Sequence, residues 1–409
     1  MKHSVFLLLL SVAAYLKLGA QPPAPAAPGA YLFAYFTGNE RAEEAIRFAL
    51  SPDGYHYTAL NGNRPIVGSA AISRSGGVRD PHILRGADGR TFYMVATDMV
   101  SAQGWNSNRG LVLLKSTDLL HWSSKAIHFP DRYPGQPDLH RVWAPQTIYD
   151  PQAKKYLVYF SLQYGSEPDK IYCAYANPDF TDLEGEPKQL YVSPTNGAAI
   201  DGDIVAKDGQ YYLFFKTEGQ GNGIKVAVSD RLTGGYVLRD TYVQQTTDPV
   251  EGAGTFKLNN SADYILMYDV YTKGRYQFTR TTDLEHFAVV DQEVTMNFHP
   301  RHGTVLPITA QEAQRLAARW LRPADVLLAA RHALGAVADS AAGTVTLAVA
   351  PATRLRAFDP GFGQLAGVRV APAGPQDFSR GPVRYTVAVG NQRRTFAVRA
   401  TPGPLPASR

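Results

Sequence analysis

The chain repeats one strand-rich unit five times, and this repeat limits the folds it can adopt more than any other feature. Short polar segments with an aspartate, such as LKSTDLLHW, follow the repeated apolar run, and such segments form turns before edge strands. Helical periodicity is absent from this region. Units of about 50–60 residues predict an all-β fold, a five-bladed β-propeller. The runs are centred on Tyr31, Tyr93, Tyr156, Tyr212 and Tyr264, with spacings of 62, 63, 56 and 52 residues.

The copies also predict how the ring closes. In four units a further strand precedes the tyrosine run and begins near Asp80, Gln146, Asp201 and Glu251. The first run has no such strand, and the segment RHGTVLPIT, residues 301–309, follows the last copy. We expect this segment to be the inner strand of the fifth blade, because shared closure leaves the ring without a free edge.

Polar side chains at the starts of the inner strands should meet at one end of the central channel, because the first strand of each blade lines that channel. Asp80, Gln146, Asp201, Glu251 and His302 occupy these starts. Carboxyl groups gathered in one place disfavour one another's ionisation, which suits acid–base chemistry. The sequence therefore predicts a functional site at the channel mouth.

The ordered motifs RDPHI, WAPQ, IDGDIV, VEGAGTFK and RHGTVLPIT resemble those of glycoside hydrolase family 43. Members of that family are five-bladed propellers that cleave arabinose-, xylose- and galactose-containing glycans. The resemblance implies that Asp80 is the general base, that Asp201 tunes and positions the acid, and that Glu251 is the general acid. It also implies inversion of the anomeric centre through an activated water. Asp203, two residues from Asp201, could exchange the tuning role with it.

Further side chains are predicted to contact the substrate. Aromatic rings pack on the apolar faces of sugars, with core packing as the alternative role. The resemblance implies that His302 holds a calcium ion or a water near the channel axis, with water supplying most of the calcium shell. No other cofactor is expected. The candidate substrate-binding residues are Trp105, Trp143, Gln146, Asp203, Phe298 and Arg301.

The N-terminal segment has the features of a cleavable signal peptide over residues 1–20. Lys2 and His3 precede an apolar run that closes on Gly19 and Ala20. Cys173 is the single cysteine of the chain, so no internal disulfide can form and no lipoprotein anchor is expected. We expect a secreted or periplasmic monomer without a membrane anchor.

We assign the propeller to residues 28–309. The segment that follows the propeller predicts a second domain. The capping-box pattern of Thr309 and Glu312 predicts a linking helix over residues 310–322. Alternating strands then predict an immunoglobulin-like β-sandwich over residues 323–409, packed on the propeller or acting as a spacer. That tail carries ten Arg, no Lys and four Asp, whereas the remainder is close to neutral. Because no nucleic-acid motif accompanies this charge, we interpret it as a solvated basic face and expect no nucleic-acid partner.

Together these features predict an exported, inverting glycoside hydrolase. Its partner would be an oligo- or polysaccharide, with cleavage in the side chains of plant or algal polysaccharides. The sugar stays open among arabinofuranose, xylopyranose and galactopyranose. Two alternatives also stay open: a carbohydrate-binding propeller without catalysis, and a glycoside phosphorylase that uses phosphate in place of water. The phosphorylase should need basic residues at the channel mouth, for which Arg79 and Arg301 are the candidates.

Overall fold

The computed structural model describes residues 27–219 and 221–403. The predicted signal peptide, residues 1–20, lies outside the described residues. The described chain opens with three strands that belong to the closing blade: β1 (Pro28–Phe36), β2 (Arg47–Ser51) and β3 (His56–Ala59). A single-turn helix, α1 (Ser69–Ile72), leads from them into the first complete blade.

Four complete blades follow, each an antiparallel sheet of four strands with the inner strand first. A second single-turn helix, α2 (Phe129–Arg132), connects the first two blades. Blade 1 contains β4 (Val78–Arg85), β5 (Phe92–Asp98), β6 (Gly110–Ser116) and β7 (Ser123–His128), and blade 2 contains β8 (Leu139–Asp150), β9 (Lys155–Tyr164), β10 (Lys170–Ala176) and β11 (Leu183–Tyr191). Blade 3 contains β12 (Ala198–Lys207), β13 (Gln210–Glu218), β14 (Gly223–Ser229) and β15 (Val237–Arg239), and blade 4 contains β16 (Glu251–Lys257), β17 (Tyr264–Val270), β18 (Arg275–Thr281) and β19 (Ala288–Val289).

Blade 5 closes the ring with strands from both ends of the repeat region. The two-residue strand β20 (Thr295–Met296) adds to its outer edge, and β21 (Arg301–Thr309) pairs antiparallel with β1 as its inner strand. The inner strands contact one another in turn from β4 through β8, β12 and β16 to β21, which contacts β4 again. The predicted five-bladed propeller and its shared closure are therefore confirmed.

Hydrophobic clusters lie between neighbouring blades, so each sheet is buried on both faces. One cluster joins Tyr93 and Val95 of blade 1 to Val158 and Phe160 of blade 2, and the other blade pairs meet in the same way. Burial on both faces explains why the repeated runs are almost continuously apolar instead of alternating. Cys173 packs in one of these clusters as a buried apolar side chain.

The predicted polar turns join the third strand of a blade to the fourth. In blade 5 the Ser51 hydroxyl accepts a hydrogen bond from the Gly54 N–H, and Asp53 accepts from the Tyr55 and His56 N–H groups. His56 Nδ1 lies 2.7 Å from Asp53 Oδ2. Blades 1 and 4 repeat this arrangement with Asp118 and His121 and with Asp283 and His286.

The C-terminal domain packs directly on the propeller. The predicted capping box of Thr309 and Glu312 starts α3 (Ala310–Trp320), and a helix that the sequence did not predict, α4 (Pro323–Leu328), follows it. Five strands then form one mixed sheet in the order β22, β23, β26, β25, β24, which is consistent with the predicted β-sandwich. The strands are β22 (Gly335–Asp339), β23 (Thr344–Val349), β24 (Val368–Ala371), β25 (Val383–Val389) and β26 (Gln392–Pro402).

One hydrophobic cluster is shared between this domain and blades 5 and 1. It contains Phe396 and Val387 from the C-terminal sheet together with Phe48 and Met94 from the propeller. Of the two arrangements left open by the sequence, the domain is therefore packed against the ring. Among the described helices, none is long and apolar enough to cross a membrane.

Candidate active site

A β-bulge recurs near the start of every inner strand. In four blades the bulged residue has a positive φ: 50° at Asp80, 45° at Ala144, 52° at Asp201 and 64° at Gly252. In blade 5 the pairing of β21 with β1 is irregular at His302. A bulge bends a strand and redirects the side chains beside it. The same bend therefore occurs at the same depth of all five inner strands.

The bulges define three layers of side chains along the channel. The outer layer is the residue before each bulge, the middle layer is the bulged residue, and the inner layer lies two residues further on. The outer layer and three middle residues line one cavity of about 510 Å³. The outer layer is Arg79, Trp143, Ile200, Glu251 and Arg301; the three middle residues are Asp80, Asp201 and His302.

This register corrects the alignment predicted from the sequence. The bulged residue of blade 2 is Ala144, so Gln146 belongs to the inner layer and does not line the cavity. Its amide oxygen instead accepts a hydrogen bond from the Tyr159 hydroxyl at 3.0 Å. Glu251 precedes its bulge, so it projects from one layer further out than Asp80 and Asp201.

Asp80 is held as a carboxylate by its neighbours. The Thr97 hydroxyl donates to Asp80 Oδ2 at 2.8 Å, and His302 Nδ1 lies 3.5 Å from Asp80 Oδ1. Burial raises the pKa of Asp80, but the hydrogen bond and charge of His302, together with Arg79 and Thr97, outweigh that effect and leave the pKa below its usual value. A low pKa keeps the carboxyl group ionised, and the ionised form is the one that can accept a proton.

Asp201 lies in a different electrostatic environment. Its Oδ2 accepts a hydrogen bond from the Gly252 N–H at 3.1 Å and lies 3.9 Å from His302 Nδ1. Burial, together with the negative charges of Glu251 and Asp80, raises the pKa of Asp201 to about 6, although His302 and Lys216 oppose the rise. Two aspartates beside the same histidine therefore differ in proton affinity.

His302 serves these carboxylates as a cation. Burial lowers the pKa of His302, but the charges of Asp201, Asp80 and Glu251 outweigh burial and raise the pKa to about 9. Among the described residues, no group of three potential His, Cys, Asp or Glu ligands gathers around a metal-sized site. The calcium ion or water predicted at His302, with water supplying most of the calcium shell, stays a prediction.

Glu251 lies between two cations. Arg301 Nη2 lies 2.5 Å from Glu251 Oε1, and Lys216 Nζ lies 3.3 Å from Glu251 Oε2. Each cation has a second acidic partner: Arg301 pairs with the fully buried Asp269, and Lys216 pairs with Glu218 at 2.7 Å. Burial raises the pKa of Asp269 to about 7 despite its pairing with Arg301.

Neither Lys216 nor Asp269 was predicted from the sequence. Both lie on second strands of blades, inside runs that are otherwise apolar. A charged residue at that position of a doubly buried strand is the signal that could have identified them, because buried charges need partners. Asp269 is the cross-strand neighbour of Glu251, and Lys216 that of Ile200, so both lie opposite the outer layer.

Two other predicted residues lie away from the cavity. Phe298 is buried in the cluster between blades 4 and 5, where it stacks on Tyr35 with ring centroids 4.4 Å apart. It therefore packs in the core and is not a sugar platform. Asp203 is in the inner layer, and burial raises its pKa to about 7 although Thr255 and His302 oppose the rise. Between the two aspartates, only Asp201 reaches the cavity.

Trp105 and Trp143 form an aromatic wall on one side of the cavity. Their rings meet edge to face with centroids 6.1 Å apart, and Trp105 is 51% exposed. The Arg141 guanidinium lies 3.8 Å from the Trp143 ring centroid, and Arg79 lies 5.4 Å from that of Trp105. Arg141 is in turn paired with the buried Asp169 at 2.6 Å. Arg79 and Arg141 line the same cavity, so the two arginines hold the aromatic wall in place from the cavity side.

A comparison with known families identifies the group to which this site belongs. The family model described as "Probable glycosyl hydrolase domain", a model related to glycoside hydrolase family 43, matches residues 27–314. The chain belongs to this family. The match covers the propeller and the start of α3, and this family 43-type domain is a glycoside hydrolase.

A curated relative of this family 43-type hydrolase is an alpha-L-arabinofuranosidase of Bifidobacterium longum subsp. longum. The two are 27% identical over an alignment of 316 positions that covers 63% of this chain. The aligned region spans 28% of the length of that relative.

Solved structures that are similar to this chain include family 43 proteins. The GH43 BlXynB protein from Bacillus licheniformis has 19% identity and a TM-score of 0.43, covering 65% of this chain and 56% of its own. A thermostable family-43 glycoside hydrolase has 13% identity and a TM-score of 0.47, covering 65% of this chain and 94% of its own. The catalytic domain of the Coprinopsis cinerea GH62 alpha-L-arabinofuranosidase has 18% identity and a TM-score of 0.42, covering 57% and 74%.

Proposed function

We propose that this hydrolase is exported and removes sugars from the side chains of plant or algal polysaccharides with inversion of the anomeric centre. The observation that carries the proposal is the meeting of Asp80, Asp201 and Glu251 in one cavity. The three carboxyl groups come from three blades, and each has different partners. Different environments for like groups are a means of separating acid and base roles.

In this proposal Asp80 is the general base. Its lowered pKa and the hydrogen bonds around it favour the carboxylate, which takes a proton from a water molecule. The water oxygen forms a bond to the anomeric carbon as the bond to the leaving oxygen breaks. Glu251 gives its proton to that leaving oxygen, so the charges balance at the end of one displacement.

Asp201 positions and tunes the acid. It binds the backbone N–H of Gly252, the residue that follows Glu251, and so fixes the backbone from which the acid projects. Its negative charge disfavours a second negative charge nearby. Asp269 supports the same role. Arg301 is paired with both Asp269 and Glu251, so its positive charge does not act on Glu251 alone.

The cavity supports the removal of a sugar unit at the end of a chain. A volume of about 510 Å³ lies within the usual range of small-ligand sites. The exposed Trp105 at its rim is placed to stack on the leaving part of the substrate. We propose α-L-arabinofuranosides as the first substrates to test, from the curated relative, with xylosides and galactosides next.

The test is a panel of nitrophenyl glycosides together with arabinan, xylan and galactan. Each is incubated with the wild-type chain in the presence and absence of added phosphate. Turnover of an arabinofuranoside, xyloside or galactoside that does not depend on phosphate supports the hydrolase. Phosphate-dependent turnover would assign a phosphorylase, and saccharide binding without turnover on any substrate would assign a binding propeller.

The pairing of the cavity cations bears on the phosphorylase alternative. Arg79 is paired with Glu44 at 3.1 Å, and Arg301 with Glu251 and Asp269. A phosphate would have to compete with these carboxylates for the guanidinium groups. This pairing favours water over phosphate as the attacking group.

A further inference from the structure

The outward face of the C-terminal sheet carries a group of arginines that the proposed catalysis does not use. Alternation along β25 and β26 places Tyr385, Val387, Phe396 and Val398 in the core and their neighbours on the solvent side. Four exposed arginines project from three adjacent strands on that side. We call this surface the arginine face: Arg369 on β24, Arg384 on β25, and Arg393 and Arg399 on β26.

The strand register fixes how these arginines are spaced. Arg369 and Arg393 flank Ala388 in one row across three strands, so their Cα atoms are about 10 Å apart. Arg384 is opposite Ala397, and Arg399 is two residues along from Ala397, which is about 7 Å. The two pairs are four to six residues apart along β26, about 13–20 Å, so a single extended polymer can span all four groups on this face.

The arginines of this face have no acidic partner within the described residues. The ion pairs formed by the C-terminal segment involve other arginines: Arg322 with Asp325, Arg331 with Asp53, and Arg380 with Asp377. The acidic residue on the same side of the sheet, Asp339, is on the far edge strand and caps its own turn. The face is therefore an uncompensated positive surface.

The residues between the arginines indicate the kind of ligand. They are small, namely Ala388, Ala397, Thr386 and Thr395, so the floor is open and the two threonine hydroxyls, 2.8 Å apart, are accessible. Guanidinium groups bind carboxylates through two parallel hydrogen bonds. No aromatic side chain lies among these residues to stack on a nucleic-acid base.

We propose that the arginine face binds a carboxylate-bearing polysaccharide, that is, a polyuronate chain. The inference goes beyond the proposed function, because it does not depend on which bond the cavity cleaves. A surface of this kind would hold the hydrolase on an acidic backbone while the cavity acts on neutral side chains. The C-terminal domain and the cavity lie at opposite ends of β21. This strand begins at the cavity with Arg301 and ends at Thr309, where the chain leaves the ring toward the C-terminal domain.

The experiment measures binding of the full chain to polygalacturonate, with neutral arabinan, dextran and double-stranded DNA as comparison ligands. The test variant is Arg369→Gln/Arg384→Gln/Arg393→Gln/Arg399→Gln. The matched control is Arg64→Gln/Arg90→Gln/Arg109→Gln/Arg231→Gln, which removes four exposed arginines from the propeller. Thermal unfolding of all three proteins checks that they are folded, so the result stands even if no hydrolytic activity is found.

We expect the wild type and the control to bind polygalacturonate at low salt and to release it near 0.5 M NaCl, where charges are screened. We expect the quadruple variant to bind at least tenfold more weakly, with neutral polysaccharides bound equally by all. Unchanged binding in the quadruple variant, or no binding by the wild type, would overturn the proposal. Tighter binding of DNA through the same four arginines would assign the face to nucleic acid and would also overturn it.

Discussion

At the scale of single residues, one histidine lies beside two aspartates whose pKa values differ. His302 Nδ1 lies 3.5 Å from Asp80 and 3.9 Å from Asp201. Asp80 also has Thr97 and Arg79 nearby, whereas Asp201 faces Glu251, and the pKa of Asp80 falls while that of Asp201 rises to about 6. The environment, and not the residue type, therefore separates their roles.

Removal of either proposed catalytic group should abolish most activity on an oligosaccharide. We expect Asp80→Ala and Glu251→Ala each to lower kcat at least a hundredfold, because proton transfer to or from the reacting atoms is lost. Substrate binding, measured by calorimetry, should remain. Asp230→Asn, at an exposed site, is the control and should retain full activity.

A comparison of leaving groups separates the acid from the base in these variants. A nitrophenyl leaving group needs little protonation, so Glu251→Ala should lose at least tenfold less activity on it than on an oligosaccharide. Asp80→Ala should lose equally on both, since the attacking water still needs a base. The reverse pattern would exchange the two roles, and full activity in both variants would refute them.

The pH profile should show the influence of Asp201 on the acid. With a pKa of about 6, Asp201 is an anion above that pH and disfavours a second negative charge beside it. In Asp201→Asn this repulsion is absent, so we expect the alkaline limb of kcat/KM to move to lower pH. The profile is measured on an oligosaccharide. An alkaline limb that stays in place or moves to higher pH would contradict the tuning role.

The sequence predicted the carboxylates of the site but not their support. Asp80, Asp201 and Glu251 stand at repeated positions, so the five copies identify them together. Lys216 and Asp269 lie in apolar runs that predict core strands, and their pairing with Glu251 depends on which strands become neighbours in space. Phe298 was predicted as a platform because an aromatic side chain looks the same whether it packs on a sugar or on Tyr35.

At the scale of elements, the bulge near the start of each inner strand determines which side chains reach the cavity. Sequence patterns predict strands but do not show a bulge at Ala144, since that conformation is uncommon for alanine. Register depends on such irregularities, because a shift of one residue reverses the faces of a strand. This is why Gln146 was predicted at the cavity but lies in the inner layer.

Ala144 and Gly252 occupy equivalent bulge positions, and exchanging alanine and glycine there should affect activity differently at the two positions. Ala144→Gly relieves a left-handed alanine, and we expect it to leave activity intact and to raise stability by up to about 1 kcal/mol. Gly252→Ala adds a Cβ that would lie 2.6 Å from the His302 ring, so we expect at least a tenfold loss of kcat. Melting temperature and kcat are measured for both. Wild-type activity in Gly252→Ala would contradict the described packing of His302.

At the scale of the whole molecule, the ring and the C-terminal domain share a hydrophobic core. The strand pairing of β1 with β21 was predictable because one tyrosine run lacked its partner strand. The packing of the C-terminal sheet on blades 5 and 1 was not predictable, because apolar alternation shows that a face is buried but not what covers it.

Truncation after Leu321 tests whether the propeller depends on this shared core. Loss of the C-terminal sheet would expose Phe48 and its buried neighbours, and burial of each such side chain contributes about 1.5–3 kcal/mol. We expect the truncated chain to melt at least 10 °C lower or to aggregate, as measured by calorimetry and light scattering. A monomeric propeller with the melting temperature of the full chain would show that the stability of the ring does not depend on the shared core.

Asp80 and Glu251 are proposed to act through a water molecule in a single displacement, and the anomeric configuration of the first product distinguishes this from a double displacement. Proton NMR follows the hydrolysis of the best substrate from the panel at early times, before mutarotation. Inverting sites leave room for a water between carboxyl groups about 6.5–9.5 Å apart, whereas retaining sites place them about 5–5.5 Å apart. We expect the sugar released first to have the configuration opposite to that of the substrate. A first product with the same configuration as the substrate would contradict it.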